Sequence, residues 1–253
     1  MSSKKTQKKI IFAGLDNAGK TSLITSFQNK FNFRNTKPTF GVNRKSFNEM
    51  SWLGLDIISW DLGGQKRFRD DYFENENVFA KISFLFYVID IQDEPRYDDS
   101  LEYLSKILKE INPQQEIHLV VIFNKFDPEI ANDEQTQKDI DLLKQKIAER
   151  VTSESFELSF FKTTIYEQST VMKLFSESIV KKTPKARLIQ KHLNNFGRTT
   201  FSSATLLIDK NCLIVGSQYS NEKYKDICTS IGSWVTLALE RIKKYEIFFS
   251  DIA

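Results

Sequence analysis

Short apolar runs recur through the N-terminal part of the chain, and each stops at a polar residue or a glycine. Ile10-Ile11-Phe12-Ala13 runs into Gly14, and Leu55 to Trp60 ends at Asp61. Phe84 to Ile89 ends at Asp90, and Leu119 to Phe123 ends at Asn124. Nearly continuous apolar runs of this length are the mark of strands in a parallel sheet covered on both sides. Helical periodicity fills the gaps, over about Lys20 to Lys30, Ser100 to Glu110 and Glu134 to Val151. A further strand spans Phe156 to Phe161, with a helix from about Ser169 to Val180. The alternation predicts a doubly wound, mostly parallel α/β sheet with helices on both faces. Ligands of such sheets sit at the carboxyl ends of the strands, where every polar stop falls.

Pro184 interrupts this pattern and sets a boundary at about Lys181 to Lys185. Beyond it the order changes to a helix (Ala186 to Asn195), a strand (Thr205 to Ile208), a turn at Asp209-Lys210-Asn211 and a strand (Cys212 to Gly216). A long amphipathic helix from about Asn221 to Lys244 follows, with at most one more strand, Glu246 to Phe249. This predicts a small α-β-β-α unit built on an antiparallel hairpin. The expected organisation is a basic tail over 1–8, a domain over 9–183 and a second domain over 185–253.

Composition narrows the class without naming a chemistry. With 253 residues, 40 % hydrophobic and 27 % charged, the chain suits one medium and one small globular domain. The 21 phenylalanines favour a filled core over disorder. A formal charge of +3 is too slight to argue for nucleic acid. The two cysteines lack CxxC spacing and read as reduced thiols of a cytosolic protein. His118 and His192 show no ligand spacing. There is no glycine at position 2, no C-terminal prenylation cysteine and no apolar run of transmembrane length. The expectation is a cytoplasmic protein with no direct lipid anchor, recruited to a membrane surface only through a protein partner.

Three motifs carry the chemistry. Gly14-Leu15-Asp16-Asn17-Ala18-Gly19-Lys20-Thr21 matches G-x-x-x-x-G-K-[ST] between a strand and a helix. Its glycines let the backbone wrap phosphates, and the N–H groups of Asp16 to Ser22 form an anion nest at the helix start. Lys20 reaches the outer phosphates, and the Thr21 hydroxyl is suited to Mg²⁺. Asp61-Leu62-Gly63-Gly64-Gln65 follows the second apolar run. There Asp61 is placed to hold the Mg²⁺ shell, the Gly64 N–H to meet a γ-phosphate, and Gln65 to orient an attacking water. Asn124-Lys125-Phe126-Asp127 matches N-K-x-D. Asp127 accepts from the N1–H and exocyclic amine of guanine, a donor pair that adenine lacks. Lys125 packs along the base and Asn124 ties this loop to the phosphate loop. Thr164 and Ile165, after the last strand, lie where a backbone N–H meets the guanine O6. Thr39 is placed to complete the metal shell when a γ-phosphate is present. Together these point to GTP/GDP and Mg²⁺, with Gln65 and Lys20 as catalytic residues. Arg67 and Arg69 read as surface residues of a helix beside Gln65.

The set resembles the small GTPases. The phosphate loop, Pro38-Thr39 and Trp60-Asp61-Leu62-Gly63-Gly64-Gln65 are similar to the Arf family. Tyr87 to Glu94, Ile111-Asn112-Pro113, Glu134 to Ile140 and Thr164-Ile165-Tyr166-Glu167 resemble the Rag/Gtr family. That likeness continues through Leu188 to Phe196 into the hairpin. It implies a P-loop GTPase domain followed by a roadblock/longin-like unit, which reads short for a full roadblock domain.

The resemblance further implies a switch that hydrolyses GTP slowly, with effectors and a GTPase-activating protein. Its C-terminal unit would dock on a scaffold, or pair as a homo- or heterodimer with another GTPase or roadblock protein. Two alternatives are an Arf-like trafficking GTPase and a nucleotide-bound scaffold with negligible hydrolysis.

Overall fold

The structure is a computed structural model. It describes residues 6–29, 39–47, 55–74, 77–112, 114–209 and 213–225, with scattered positions between 227 and 238. The Lys210-Asn211 part of the expected turn, Cys212, the end of the last helix and the strand expected at Glu246 to Phe249 lie outside the described residues. Backbone contacts divide the chain into two compact units, Met1–Val171 and Met172–Ala253.

The first unit is a six-stranded sheet. In chain order the strands are β1 (Thr6–Ala13), β2 (Val42–Phe47), β3 (Leu55–Leu62), β4 (Phe84–Asp90), β5 (Ile117–Asn124) and β6 (Phe156–Thr163). Their spatial order is β2-β3-β1-β4-β5-β6, parallel throughout except for β2, which runs antiparallel along β3. The order reverses beside β1, so the loop after β1 opens at the crevice where such sheets bind ligands. The registers then line up the motif ends. Phe12 pairs with Asp61, Ala13 with Tyr87, Asp90 with Asn124, and Asn124 with Thr163. A single sheet edge therefore carries all four polar stops.

The interior follows from the apolar runs. Every residue of β4 is buried, and only His118 of β5 is partly exposed. Phe12 and Phe86 meet edge to face with centroids 5.0 Å apart, a geometry that adds to area burial. The helices are α1 (Lys20–Asn29), α2 (Lys66–Phe73), α3 (Tyr97–Glu110), α4 (Glu134–Arg150) and α5 (Gln168–Ser178), in which the division between units falls. α3 buries Leu101, Leu104 and Ile107, a three-and-four spacing, and carries Asp98 and Asp99 in its first turn to complement the helix dipole. The fully buried Tyr87 hydroxyl donates to the Ser100 carbonyl at 2.5 Å. Burial raises the pKa of this phenol, so the group stays a donor. α4 begins at Asp133, whose carboxylate accepts from the Thr136 N–H at 2.7 Å.

The second unit holds α6 (Pro184–Thr200) and the antiparallel pair β7 (Ala204–Ile208) and β8 (Ile214–Tyr219). Thr183 caps α6 by accepting from the Ala186 N–H at 3.1 Å, and Pro184 takes the first helical position, where its missing N–H costs nothing. Gln190 treats β8 as a strand neighbour. Its amide donates to the Ser217 carbonyl at 2.6 Å and accepts from the Ser217 N–H at 3.0 Å. Helical backbone recurs at positions 222–225, 227–228, 231–232, 235 and 238. None of the helices among the described residues is long and apolar enough to cross a membrane.

Candidate functional site

The loop between β1 and α1 is shaped by three residues in the left-handed region: Gly14 (φ 140°), Asn17 (φ 59°) and Gly19 (φ 90°). A side chain at Gly14 would run into the Val88 carbonyl, and one at Gly19 into the Asn124 amide. Backbone conformation and close approach thus demand glycine together at both positions. Lys20, the first residue of α1, is 5 % exposed. Its ammonium donates to the carbonyls of Gly14 at 3.0 Å and Leu15 at 2.6 Å, folding back across the loop. Burial, partly offset by the Asp61 and Asp16 carboxylates, lowers its pKa to about 8. Thr21 and Ser22 complete the first turn of α1, and Ala18 is buried beneath the loop.

Asp61 at the end of β3 is 3 % exposed. Its Oδ2 accepts from the hydroxyls of Thr21 at 2.7 Å and Thr39 at 3.0 Å, while those two hydroxyls lie 2.8 Å apart. Its Oδ1 is buried and without a partner. Burial is the largest influence on this carboxyl and raises its pKa; the two hydroxyls and Lys20 oppose it. One orphaned carboxylate oxygen beside two hydroxyls is a set of hard oxygen donors. It fits Mg²⁺, which takes few protein ligands and fills the remainder with water and phosphate oxygens. Among the described residues there is no cluster of three or more histidine, cysteine or acidic side chains to compete for a metal.

Gly41, two residues after Thr39, is tied to α2 and to the end of β3. The Tyr72 hydroxyl donates to the carbonyls of Gly41 at 2.9 Å and Gly63 at 3.2 Å, and the Gly63 N–H donates to the Gly41 carbonyl at 3.0 Å. Gly64 accepts from the Asp16 N–H at 3.1 Å, and a Cβ at Gly64 would collide with the Leu15–Asp16 backbone. Gln65, half-buried, sits at the N-cap position of α2 without a side-chain capping bond, and its side-chain oxygen accepts from Arg67 Nε at 3.1 Å. The expected water-orienting amide is thus turned toward Arg67, whose guanidinium lies 4.6 Å from the Phe68 ring. Arg69 packs over Tyr103 at 5.0 Å, with its Nε buried and unpartnered.

The third cluster lies at the ends of β5 and β6. The Asn124 amide donates to the Ala18 carbonyl at 2.8 Å and accepts from the Thr163 hydroxyl at 2.9 Å, joining three segments of the sheet edge. Lys125 takes a left-handed conformation (φ 60°) and its ammonium meets the buried Asp90 carboxylate at 2.6 Å. Asp127 accepts from the Thr164 hydroxyl at 2.6 Å on one oxygen and from Gln92 Nε2 at 2.8 Å on the other. Each oxygen keeps a lone pair for a further donor. The Thr164 N–H donates to the Thr170 hydroxyl at 3.1 Å, and Ile165 follows it, half-buried.

Sequence reasoning did not single out Tyr72 or Gln92. Gln92 also donates to the Lys125 carbonyl at 2.8 Å, so it holds both the backbone and the carboxylate of the N-K-x-D loop. Tyr72 belongs to no motif, and Gln92 falls inside the Tyr87 to Glu94 stretch without any spacing that marks its role.

A family profile described as the Gtr1/RagA G protein conserved region matches residues 9–247. Among individual proteins, the chain is similar to Ras-related GTP-binding protein B of Rattus norvegicus: 26% identical over 194 residues, 76% of this chain and 50% of that one. The chain thus spans about half the length of that relative. GTP-binding protein gtr1 of Schizosaccharomyces pombe is 20% identical over 219 residues, 85% of this chain and 70% of that one. ADP-ribosylation factor-like protein 13B of Chlamydomonas reinhardtii is 38% identical over a shorter stretch of 108 residues, 42% of this chain and 19% of that one. In fold, the chain is similar to the Arl6 BBS3 small GTPase from Trypanosoma brucei, solved with the nucleotide analogue GppNp. The TM-score is 0.54 at 20% identity, over 68% of this chain and 95% of that one.

Proposed function

The chain belongs to the Gtr1/RagA family of G proteins, and from that premise we propose that it binds GTP and GDP with Mg²⁺ and hydrolyses GTP slowly as a switch. The observation that carries the reading is the closure of Thr39 onto Thr21 and the half-orphaned, buried Asp61 carboxylate. Thr39 comes from the connection before β2 and Thr21 from the phosphate loop, so a cation site shared by the two couples nucleotide to the position of Thr39.

The loop N–H groups from Asn17 to Thr21 bind phosphate oxygens. Lys20 exchanges the Gly14 and Leu15 carbonyls for the outer phosphates, and its charge stabilises the transition state. Thr21, Thr39 and Asp61 would hold Mg²⁺, which neutralises charge on the phosphate oxygens. The Gly64 N–H faces the terminal phosphate. Asp127, oriented by Thr164 and Gln92, reads the guanine N1–H and amine, while Lys125 packs on the base. Gln65 positions water only after it leaves Arg67, so the expected behaviour is slow intrinsic turnover raised by an external activating protein.

The unit over 185–253 acts in dimerisation or scaffold docking as a roadblock/longin-like module. Ile227, Ile231 and Val235 recur every fourth helical position at 42%, 54% and 51% exposure, a stripe suited to a partner GTPase or roadblock protein. The protein would work in the cytoplasm and reach membranes through that partner.

Single-turnover hydrolysis of Mg²⁺-GTP by the chain and by Gln65→Leu tests the enzyme reading. Gln65→Leu is expected to be slower by about a hundredfold at unchanged GTP affinity. Equal rates would favour the nucleotide-bound scaffold.

A further inference from the structure

Asp16, the third residue of the phosphate loop, places a carboxylate beside the phosphate cradle. Its N–H donates to the Gly64 carbonyl, which sets its backbone against the β3–α2 turn, the turn that carries the terminal-phosphate N–H of Gly64. A negative charge there repels a polyphosphate, and repels it more when a terminal phosphate is added. The loop would then disfavour the triphosphate unless something offsets the charge.

Arg96 stands where that offset is needed. It closes the short 3₁₀ turn Glu94–Arg96 that follows β4 and leads into α3. Its Nη1 donates to Asp16 Oδ1 at 2.9 Å, its Nη2 to the Asp16 carbonyl at 3.3 Å, and its Nε to Asp93 Oδ2 at 2.5 Å. The planar fork is fixed on Asp93 from behind and clasps both the side chain and the backbone of Asp16 in front. The two side chains of the Arg96–Asp16 pair are 33% and 51% exposed. An ion pair so open to water contributes little to stability, which leaves the charge it delivers to the loop as its consequence.

We infer that Arg96 is a positioning residue that sets the preference for triphosphate over diphosphate by neutralising and fixing Asp16. The inference rests on the nucleotide reading above. It differs from an arginine that touches phosphate, because Arg96 acts entirely through another side chain.

The test is equilibrium titration of the full chain, with Mg²⁺, against GDP and the non-hydrolysable analogue GppNp. Arg96→Gln is expected to lower the GppNp-over-GDP affinity ratio about tenfold, and high salt to shrink the effect. In the Asp16→Asn background the same substitution is expected to leave the ratio within about twofold, since no carboxylate remains to offset. Arg96→Lys, which keeps the charge without the fork, is expected to retain most of the ratio and guards against an Arg96→Gln chain that fails to fold. An unchanged ratio in Arg96→Gln, or an equal drop with Asp16 already replaced, overturns the role of Arg96. A parent chain that binds neither nucleotide overturns the nucleotide reading itself.

Discussion

Replacing Tyr72 by phenylalanine removes the one oxygen atom with which this side chain clamps the Gly41 and Gly63 carbonyls together. Tyr72 is 4 % exposed, and the ring keeps its packing in the variant, so no cavity complicates the comparison. Burial pushes the phenol up to about 12, so the donor is present at any working pH. One hydroxyl proton serves two carbonyls at 2.9 and 3.2 Å, which makes this a shared bond and not two full ones. The Gly41 carbonyl keeps the Gly63 N–H in the variant. The Gly63 carbonyl, in a buried residue, loses its donor. A shared bond plus one orphaned buried acceptor sums to about 1–2 kcal/mol. For a domain of this size that lowers the thermal midpoint by roughly 3–6 °C. The clamp joins the segments that carry Thr39 and Gly64, so the triphosphate complex should suffer most. GppNp affinity is expected to fall about tenfold and GDP affinity by less than about twofold. Calorimetric melting and paired titrations measure both effects. A midpoint unchanged within error, or equal losses for the two nucleotides, would refute the reasoning.

Three further outcomes follow from the same geometry. Asp127→Asn replaces an acceptor by a donor opposite the guanine N1–H and amine; it should weaken GTP by about a hundredfold or more and favour a base with a carbonyl at that edge, measured by competition between GTP and xanthosine triphosphate. Because burial holds the Lys20 pKa near 8 in the nucleotide-free chain, the ammonium is already present below pH 8 and must be regained on binding above it. GDP affinity at fixed Mg²⁺ should therefore be flat below that pH and drop about tenfold per unit above it; a flat profile to pH 9.5 would contradict the buried, neutralisable lysine. Arg67→Ala frees the Gln65 amide from its present partner and should raise single-turnover hydrolysis by roughly two- to fivefold; a slower variant would show that Arg67 supports catalysis.

Much of the fold was legible because a sheet buried on both faces leaves an unmistakable trace. β4 was expected over Phe84 to Ile89 and found at Phe84–Asp90, since seven consecutive buried positions admit almost nothing polar. β2 left no such trace. Val-Asn-Arg-Lys-Ser-Phe alternates poorly because the strand lies at the sheet edge, where one neighbour and much solvent relax the demand for apolar side chains. α6 shows the opposite failure. Its helix was expected to stop at Asn195 but continues through Gly197 to Thr200. A Cβ at Gly197 would strike the Gln218 side chain, so close packing on β8 outweighs the poor helix propensity of glycine. The break expected at Pro184 coincides with the start of α6, because proline is unhindered in a first helical turn.

The site divides along the same physical line. Lys20, Thr21, Asp61, Asn124 and Asp127 were legible because each stands in a motif that fixes residue type and spacing together. Tyr72, Gln92 and Arg96 were not, because each works on another protein group. Two backbone carbonyls accept from Tyr72, the Asp127 carboxylate from Gln92, and the Asp16 carboxylate from Arg96. A carbonyl can be met by any donor that reaches it, so chemistry alone leaves the residue type open. What selects Gln92 and Arg96 is the register of the sheet. Pairing Asp90 with Asn124 brings Gln92 to the N-K-x-D loop, and pairing Ala13 with Tyr87 sets the turn bearing Arg96 beside Asp16. Those pairings join residues 34 and 74 positions apart in the chain, beyond the reach of any local pattern. The supporting contacts of such a site are therefore found by folding the sheet first and asking which side chains its edge brings to the motif residues.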